Sequence, residues 1–177
     1  MARNLVREEE AQLLELKARV KDLSVIRDRL VEIGAQYVET LHQVDTYFKV
    51  PRGRLKMREV EGGGAELIYY EREDKPKPKR SSVFIIRLDG EGTLKRMIKR
   101  ILEEFVVVEK VREIYQHRGT KIHLDTVEGL GTFIEFERRI RDAERDREEL
   151  NRLMVELGIR EENLEGLSYS DLLAGKR

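Results

Sequence analysis

Arg54-Leu55-Lys56-Met57-Arg58 alternates a charged and an apolar side chain at every step. That period of two belongs to a β-strand, so Arg54, Lys56 and Arg58 share one face while Leu55 and Met57 share the other. The pattern recurs along the chain. In Leu13–Val20, Leu13, Glu15, Lys17 and Arg19 alternate with Leu14, Leu16, Ala18 and Val20. Arg72 lies in phase with Ile68 and Tyr70, and Lys110 and Arg112 flank Val111. His123 and Asp125 alternate with Ile122 and Leu124, and Glu135 and Glu137 with Ile134 and Phe136. One sheet face can therefore gather eight cations (Lys17, Arg19, Arg54, Lys56, Arg58, Arg72, Lys110, Arg112) and four acids (Glu15, Asp125, Glu135, Glu137).

Around these strands the chain reads as a repeated topology. Strand Leu13–Val20 is followed by a helix capped by Ser24, with Ile26, Leu30 and Ile33 on one stripe and Gly34 as its stop. Strands at Gln36–Lys49, Arg54–Glu59 and Glu66–Arg72 follow, separated by the turns Pro51-Arg52-Gly53 and Gly62-Gly63-Gly64. Lys75–Arg80, with Pro76 and Pro78 among lysines, reads as a solvated loop able to close over a neighbouring site. The second half starts again with strand Ser82–Leu88 and helix Gly92–Glu104. Strands Val106–Gln116, Lys121–Thr126 and Thr132–Arg138 complete it, then a helix over Asp142–Leu157 and a helical turn at Ser170–Leu173. The spacing predicts an α+β fold, an eight-stranded antiparallel barrel with flanking helices. No linker splits the chain, so one domain is expected over 1–177 with its core at about 13–173.

Alternation does not by itself separate an inward face from an outward one. Either the charged face meets water, as half of an antiparallel sheet does, or the sheet rolls up and the charges line its lumen. In the second case eight enclosed cations require an anionic partner, because the four acids offset only half of them. A polyphosphate with an oxygen-ligated divalent ion, Mg²⁺ or Mn²⁺, completes that balance.

Composition narrows the classes further. The 177 residues carry 35 basic and 35 acidic side chains, no net charge and no cysteine, which excludes thiol catalysis and disulfide frameworks. No apolar run is long enough to span a membrane, and the N-terminus has charges where a signal peptide has its apolar core, so a cytoplasmic protein is expected. Zero net charge, the absence of Trp and the lack of an aromatic stacking row speak against an RNA-binding barrel. His123 reads as a satisfied polar side chain, and Arg138–Arg147, with charges of alternating sign, as surface ion pairs.

The ordered set of motifs resembles the CYTH, or triphosphate tunnel metalloenzyme, family, and within it the class IV adenylate cyclase-like branch. The residues that carry the resemblance are Leu13-Leu14-Glu15-Leu16-Lys17, Val44-Asp45-Thr46-Tyr47-Phe48 and Gly53-Arg54-Leu55-Lys56-Met57-Arg58. Leu67–Arg72, Lys110-Val111-Arg112, His123-Leu124-Asp125 with Gly129-Leu130-Gly131, Phe133–Glu137 and Ser168–Leu173 complete them. The resemblance implies a tunnel in which Lys17, Arg54, Lys56, Arg58, Arg72, Lys110 and Arg112 grip a triphosphate. It implies that Glu15, Glu135 and Glu137 bind Mg²⁺ or Mn²⁺, that Asp125 binds or orients the metal, and that Lys17, Asp125 and Arg112 form the catalytic group. Arg19 and Arg87 are further candidates by phase.

One position departs from the family pattern. Leu13 stands where the family's opening motif has a glutamate, and Glu10 lies upstream as a substitute. The implied substrates are ATP, converted to cyclic AMP and pyrophosphate, or tripolyphosphate, thiamine triphosphate or a nucleotide, hydrolysed at the terminal phosphorus. A polyphosphate or nucleotide sensor without turnover is the reading that Leu13 motivates. Partners beyond the small molecule are not expected, apart from a second copy in a homodimer.

Overall fold

The computed structural model describes residues 7–88 and 93–175. Eight strands form one closed antiparallel barrel: β1 (Arg7–Arg19), β2 (Gln36–Phe48), β3 (Arg54–Val60), β4 (Ala65–Arg72), β5 (Lys79–Leu88), β6 (Glu104–His117), β7 (Thr120–Val127) and β8 (Gly131–Arg139). The order around the barrel is β1-β5-β4-β3-β2-β6-β7-β8, and β8 closes on β1. Exchanging β1–β4 for β5–β8 maps this ring onto itself. The repeated topology is thus a two-fold pseudosymmetry: two three-stranded meanders joined through β2 and β6, with β1 and β5 inserted opposite. Closure leaves no open sheet edge.

Helices α1 (Leu23–Glu32) and α3 (Ala143–Glu156) cover the outside of β1, β7 and β8. Leu14, Leu16 and Ala18 of β1 meet Ile26, Leu30, Leu150, Leu153 and Leu157 there, together with Ile122, Leu124, Ile134 and Phe136. The main apolar layer therefore lies outside the barrel, and the alternating phase turns the charged face inward. This decides between the two readings of the alternation. Helix α2 (Thr93–Ile101) sits over Phe48, Met57, Leu55 and Leu67.

Several boundaries differ from the sequence reading. The cap of α1 is Asp22, not Ser24: its carboxylate accepts from the Ser24 amide at 2.8 Å and the Ser24 hydroxyl at 2.6 Å. An ionised side chain one turn-residue earlier outcompetes the hydroxyl for the helix amides. Asp22→Ala is expected to cost about 1 kcal/mol, read as a lower urea midpoint with an unchanged slope. Helix α2 ends at Ile101, since Glu104 already opens β6; Gly92, its expected start, lies outside the described residues. Only Ile98 of its apolar stripe is buried, and Met97 and Ile101 remain exposed.

Strand β5 begins at Lys79, so Lys79 and Arg80 belong to the barrel and not to a solvated loop. The prolines before them had masked a strand start. Arg138 is no surface ion pair: it holds the buried Asp146 at 2.6 Å, and Asp146 also accepts from the amides of Arg141 and Asp142. Helix α3 is stopped by Gly158 at φ 62°, in the left-handed region that glycine adopts without strain. A Cβ there would also run into the guanidinium of Arg29, which donates to the Leu157 carbonyl at 2.6 Å. A six-residue helix, α4 (Tyr169–Ala174), closes the described chain and packs against β6.

Candidate functional site

Inside the barrel, six cations face one chamber: Lys17, Lys56, Arg58, Arg72, Lys110 and Arg112. They come from β1, β3, β4 and β6, each from the inward phase of its strand. Four acids share the wall: Glu15, Asp45, Glu135 and Glu137. The space between them measures about 110 Å³, because cations and carboxylates reach across it to each other.

Asp45 is the centre of one half. It is 1% exposed, and it accepts from Lys56 at 2.9 Å, Lys110 at 2.7 Å and Arg58 at 2.8 and 2.9 Å. Burial pushes its carboxyl up, but Arg58, Lys110 and Lys56 together outweigh burial and hold it well below the usual carboxylate range. Glu135 is the centre of the other half, 3.7 Å from Lys17 and 3.6 Å from Arg112, with His123 at 3.7 Å. Burial opposes its ionisation, and the neighbouring His123, Arg112 and Lys17 overcome that opposition; the buried His123 Nδ1 has no hydrogen-bond partner, so this side chain is not the satisfied polar group the sequence suggests.

The lysines feel the reverse. Burial, opposed only in part by Glu135, lowers Lys17 to about 7, and burial lowers Lys110 to about 7 despite Asp45. Each folded value lies below the ordinary 10.5. Between those limits the unfolded chain holds protons that the folded chain has released, so stability is expected to rise with pH above 7. An anion bound between these lysines favours their charged forms. Its binding is then expected to take up protons at pH 8, and its affinity to fall as pH rises from about 7 to 9. Calorimetric titration with tripolyphosphate in buffers of different ionisation enthalpy reads that uptake; zero uptake at pH 8 would refute it.

Glu15 and Glu137 are direct cross-strand partners between β1 and β8, and Lys17 is paired with Glu135 in the next position. Two carboxylates opposite each other repel unless a cation lies near. Arg72 supplies one, at 2.9 Å from Glu15, and Lys121 approaches Glu137 at 3.7 Å. Among the described residues no three His, Asp or Glu side chains form a ready-made cage. Mg²⁺ does not require one, since it takes one or two carboxylates and completes its shell with water and phosphate oxygens. The Glu15–Glu137 pair, with Glu135 beside it, fits that requirement.

The remaining expected residues stand elsewhere. Arg54 lies at the rim, bound to Asp74 at 2.6 Å and Asp171 at 2.7 Å. Asp125 faces inward but is covered by Arg112 and Tyr169: it is fully buried, with both oxygens taken by Arg112 at 2.7 and 2.6 Å and by the Tyr169 hydroxyl at 2.7 Å. It fixes the Arg112 guanidinium. Arg19 reaches out of the barrel to Glu165, and Arg87 is at the opposite mouth, between Glu9 and Glu66. Glu10 is on the outer face, out of phase with Glu15, so it does not take the place of Leu13. Leu13 itself is on the chamber wall.

Three groups were missed in the sequence. Asp45 stood in a quoted motif at the inward phase, between Gln43 and Tyr47, which was the available signal. Lys79 is buried, donates to the Gly166 carbonyl at 2.7 Å, and is lowered to about 8 by burial first and Arg72 second. The third is the role of the segment Glu165–Tyr169, which crosses one barrel mouth and whose last two residues belong to the Ser168–Leu173 stretch. Its Leu167 carbonyl accepts from Lys17 at 3.2 Å, and the Tyr169 ring lies 4.0 Å under the Lys17 ammonium. None of these contacts has a periodic signature.

Comparison with known proteins follows the same outline. A protein of Methanocaldococcus jannaschii named "putative adenylate cyclase" is 26% identical over 170 residues, covering 90% of this chain and 97% of its own. The structure of the PH1012 protein from Pyrococcus horikoshii superposes with a TM-score of 0.80 at 26% identity, over 90% of this chain and 98% of that one. A Hippeastrum protein described as a "putative adenylyl cyclase" with a dominant triphosphatase activity shares the fold at 16% identity and a TM-score of 0.67, over 94% of this chain and 96% of that one. The CYTH domain model matches residues 11–169, strands β1 to β8 and the tail that crosses the barrel mouth, and on that match the chain belongs to the CYTH domain family.

Proposed function

We propose that the chain is a metal-dependent enzyme that binds a triphosphate in the barrel and converts ATP to cyclic AMP and pyrophosphate. The observation that carries this reading is the enclosed ring of six cations against four acids on the chamber wall. Buried cations in excess are costly unless an anion joins them. The name of the Methanocaldococcus relative supports the choice of ATP.

In that reaction the ribose 3′-oxygen attacks the α-phosphorus, the bond to the bridging oxygen breaks, and pyrophosphate leaves with the electron pair. Arg58, Arg112 and Lys56 would balance the charge that grows on the leaving group. Asp125 and Tyr169 keep the Arg112 fork in one orientation, so no reorganisation is required as charge develops. The bound phosphates keep Lys17 in its charged form, so it would donate to them, and the proton of the attacking hydroxyl passes to water. Mg²⁺ or Mn²⁺, held by Glu15 and Glu137 with Glu135 beside them, would supply phosphate charge neutralisation and Lewis acidity.

A triphosphatase is the second reading, favoured by the activity described for the Hippeastrum protein and by a wall that grips phosphates from all sides. A binding protein without turnover is the third, motivated by Leu13. Product analysis after incubation with Mg²⁺ or Mn²⁺ and ATP or tripolyphosphate separates them. Cyclic AMP with pyrophosphate supports the cyclase, and orthophosphate the triphosphatase. Binding without products supports the sensor, with Leu13→Glu then testing whether the missing carboxylate is the cause. Neither binding nor turnover would refute the triphosphate reading altogether.

A further inference from the structure

Tyr169 reaches the chamber from the tail and not from a barrel strand, and it is buried. Its hydroxyl donates to Asp125 at 2.7 Å, and the centre of its ring lies 4.0 Å from the Lys17 ammonium. The ring packs edge-to-face with Phe133 of β8. One side chain thus touches both the carboxylate that holds Arg112 and the ammonium of Lys17. Those two cations also share Glu135, at 3.6 and 3.7 Å.

The segment that carries Tyr169 is pinned along its length. The Glu165 amide donates to the Lys17 carbonyl at 2.9 Å, and Lys79 holds the Gly166 carbonyl at 2.7 Å. A Cβ at Gly166 would stand 3.0 Å from the carbonyl carbon of Lys75, so a side chain there would press on the backbone of the β4–β5 loop. Beyond Tyr169, Asp171 accepts from the Ser168 hydroxyl at 2.6 Å and from Arg54 at 2.7 Å, and Asp74 holds the other side of Arg54 at 2.6 Å.

Both contacts of Tyr169 suit a site for an anion. A second carboxylate against Lys17 would neutralise it and compete with an incoming phosphate. An aromatic face attracts the ammonium through its quadrupole and leaves the charge available. Asp125 takes the Nε and one terminal nitrogen of Arg112, and the other donors of the guanidinium stay free for the chamber. By bonding to the same carboxylate, the Tyr169 hydroxyl fixes the direction in which those donors point.

We propose that Tyr169 is a positioning residue for Arg112 and Lys17, and that the tail is a standing part of the anion site and not a cover displaced by the anion. This rests on the triphosphate reading of the chamber. Arg54, which does not line the chamber, serves it from the rim by anchoring the tail at Asp171.

The test is calorimetry of the full chain with tripolyphosphate, in Mg²⁺ and again in EDTA, on Tyr169→Phe and Tyr169→Leu, each with Lys17 present and in the Lys17→Met background. Tyr169→Phe loses the hydroxyl and keeps the ring. Its affinity is expected to fall by about threefold to tenfold, by the same factor in both backgrounds, because the hydroxyl acts through Arg112. Tyr169→Leu loses the ring as well. A further loss of about tenfold is expected with Lys17 present, and of less than about twofold in Lys17→Met. A merely structural role produces the same further loss in both backgrounds, and that result would overturn the assignment. Tighter binding in Tyr169→Leu would overturn it too, since the tail would then be an obstruction. Should Tyr169→Leu not fold, Tyr169→Phe decides alone, and wild-type affinity in that variant would refute the positioning role. If the wild-type protein takes up no tripolyphosphate, the chamber reading itself has failed and the assignment falls with it.

Discussion

Lys17→Met is expected to lower kcat by about 10²–10³ while the melting temperature stays the same or rises. Lys17 is 3% exposed, and its ammonium is covered by Glu135, the Leu167 carbonyl and the Tyr169 ring. Burial disfavours its charge strongly enough to bring it to about 7, so an apolar side chain of similar length removes a desolvation cost, while Glu135 keeps Arg112 at 3.6 Å and His123 at 3.7 Å. The same substitution removes one of the charged donors to the phosphates. A loss of activity alone would fit any destabilised protein. Loss of activity with unchanged or higher stability, read by product assay and thermal unfolding on one preparation, fits only a residue kept for chemistry. Full activity in Lys17→Met would remove Lys17 from the mechanism.

Asp45→Asn carries the largest expected effect on stability. One carboxylate holds Lys56, Arg58 and Lys110, and Lys110 has no other ion-pair partner among the described contacts. Removing the charge leaves three cations facing one another in a closed wall, a class of change that costs about 3–5 kcal/mol. For a chain of this size that corresponds to a drop of roughly 6–20 °C in the melting temperature. Tripolyphosphate is expected to restore more stability to Asp45→Asn than to the wild type, because the anion replaces the missing charge. Equal stabilisation of both proteins would mean that the anion does not bind beside Asp45.

The barrel was legible because a period of two survives any amount of sequence change that keeps one face charged and the other apolar. Lys17, Lys56, Arg58, Arg72, Lys110 and Arg112 could be read as one face for that reason alone. Whether that face turned inward could not be read, since alternation is blind to the direction of curvature. The helices α1 and α3 decide it by covering Leu14, Leu16, Ile122 and Phe136 from outside. Asp45 escaped because it sits between Val44 and Thr46 in a strand with little charge contrast, and its importance comes from three cations that arrive from other strands. Lys79 escaped because Pro76 and Pro78 speak of a loop until the next residue begins to pair. Asp125 was legible as a site residue by phase, but only packing shows that Arg112 and Tyr169 use up its oxygens. Ser24 and Glu10 are the converse cases. Each had a suitable side chain in a suitable stretch, and each lost its expected role to a neighbour, Asp22 at the helix start and the phase of β1 at the wall.

Thermal unfolding of the full chain across a tripolyphosphate titration, alongside Arg58→Ala, tests for a triphosphate site inside the barrel. Saturable stabilisation is expected. At a ligand concentration one hundred times the dissociation constant it amounts to about 2.7 kcal/mol, or roughly 5–11 °C, and it is weakened at high salt and largely lost in Arg58→Ala. A melting temperature that does not move with tripolyphosphate, or that moves equally in Arg58→Ala, would contradict a triphosphate site inside the barrel.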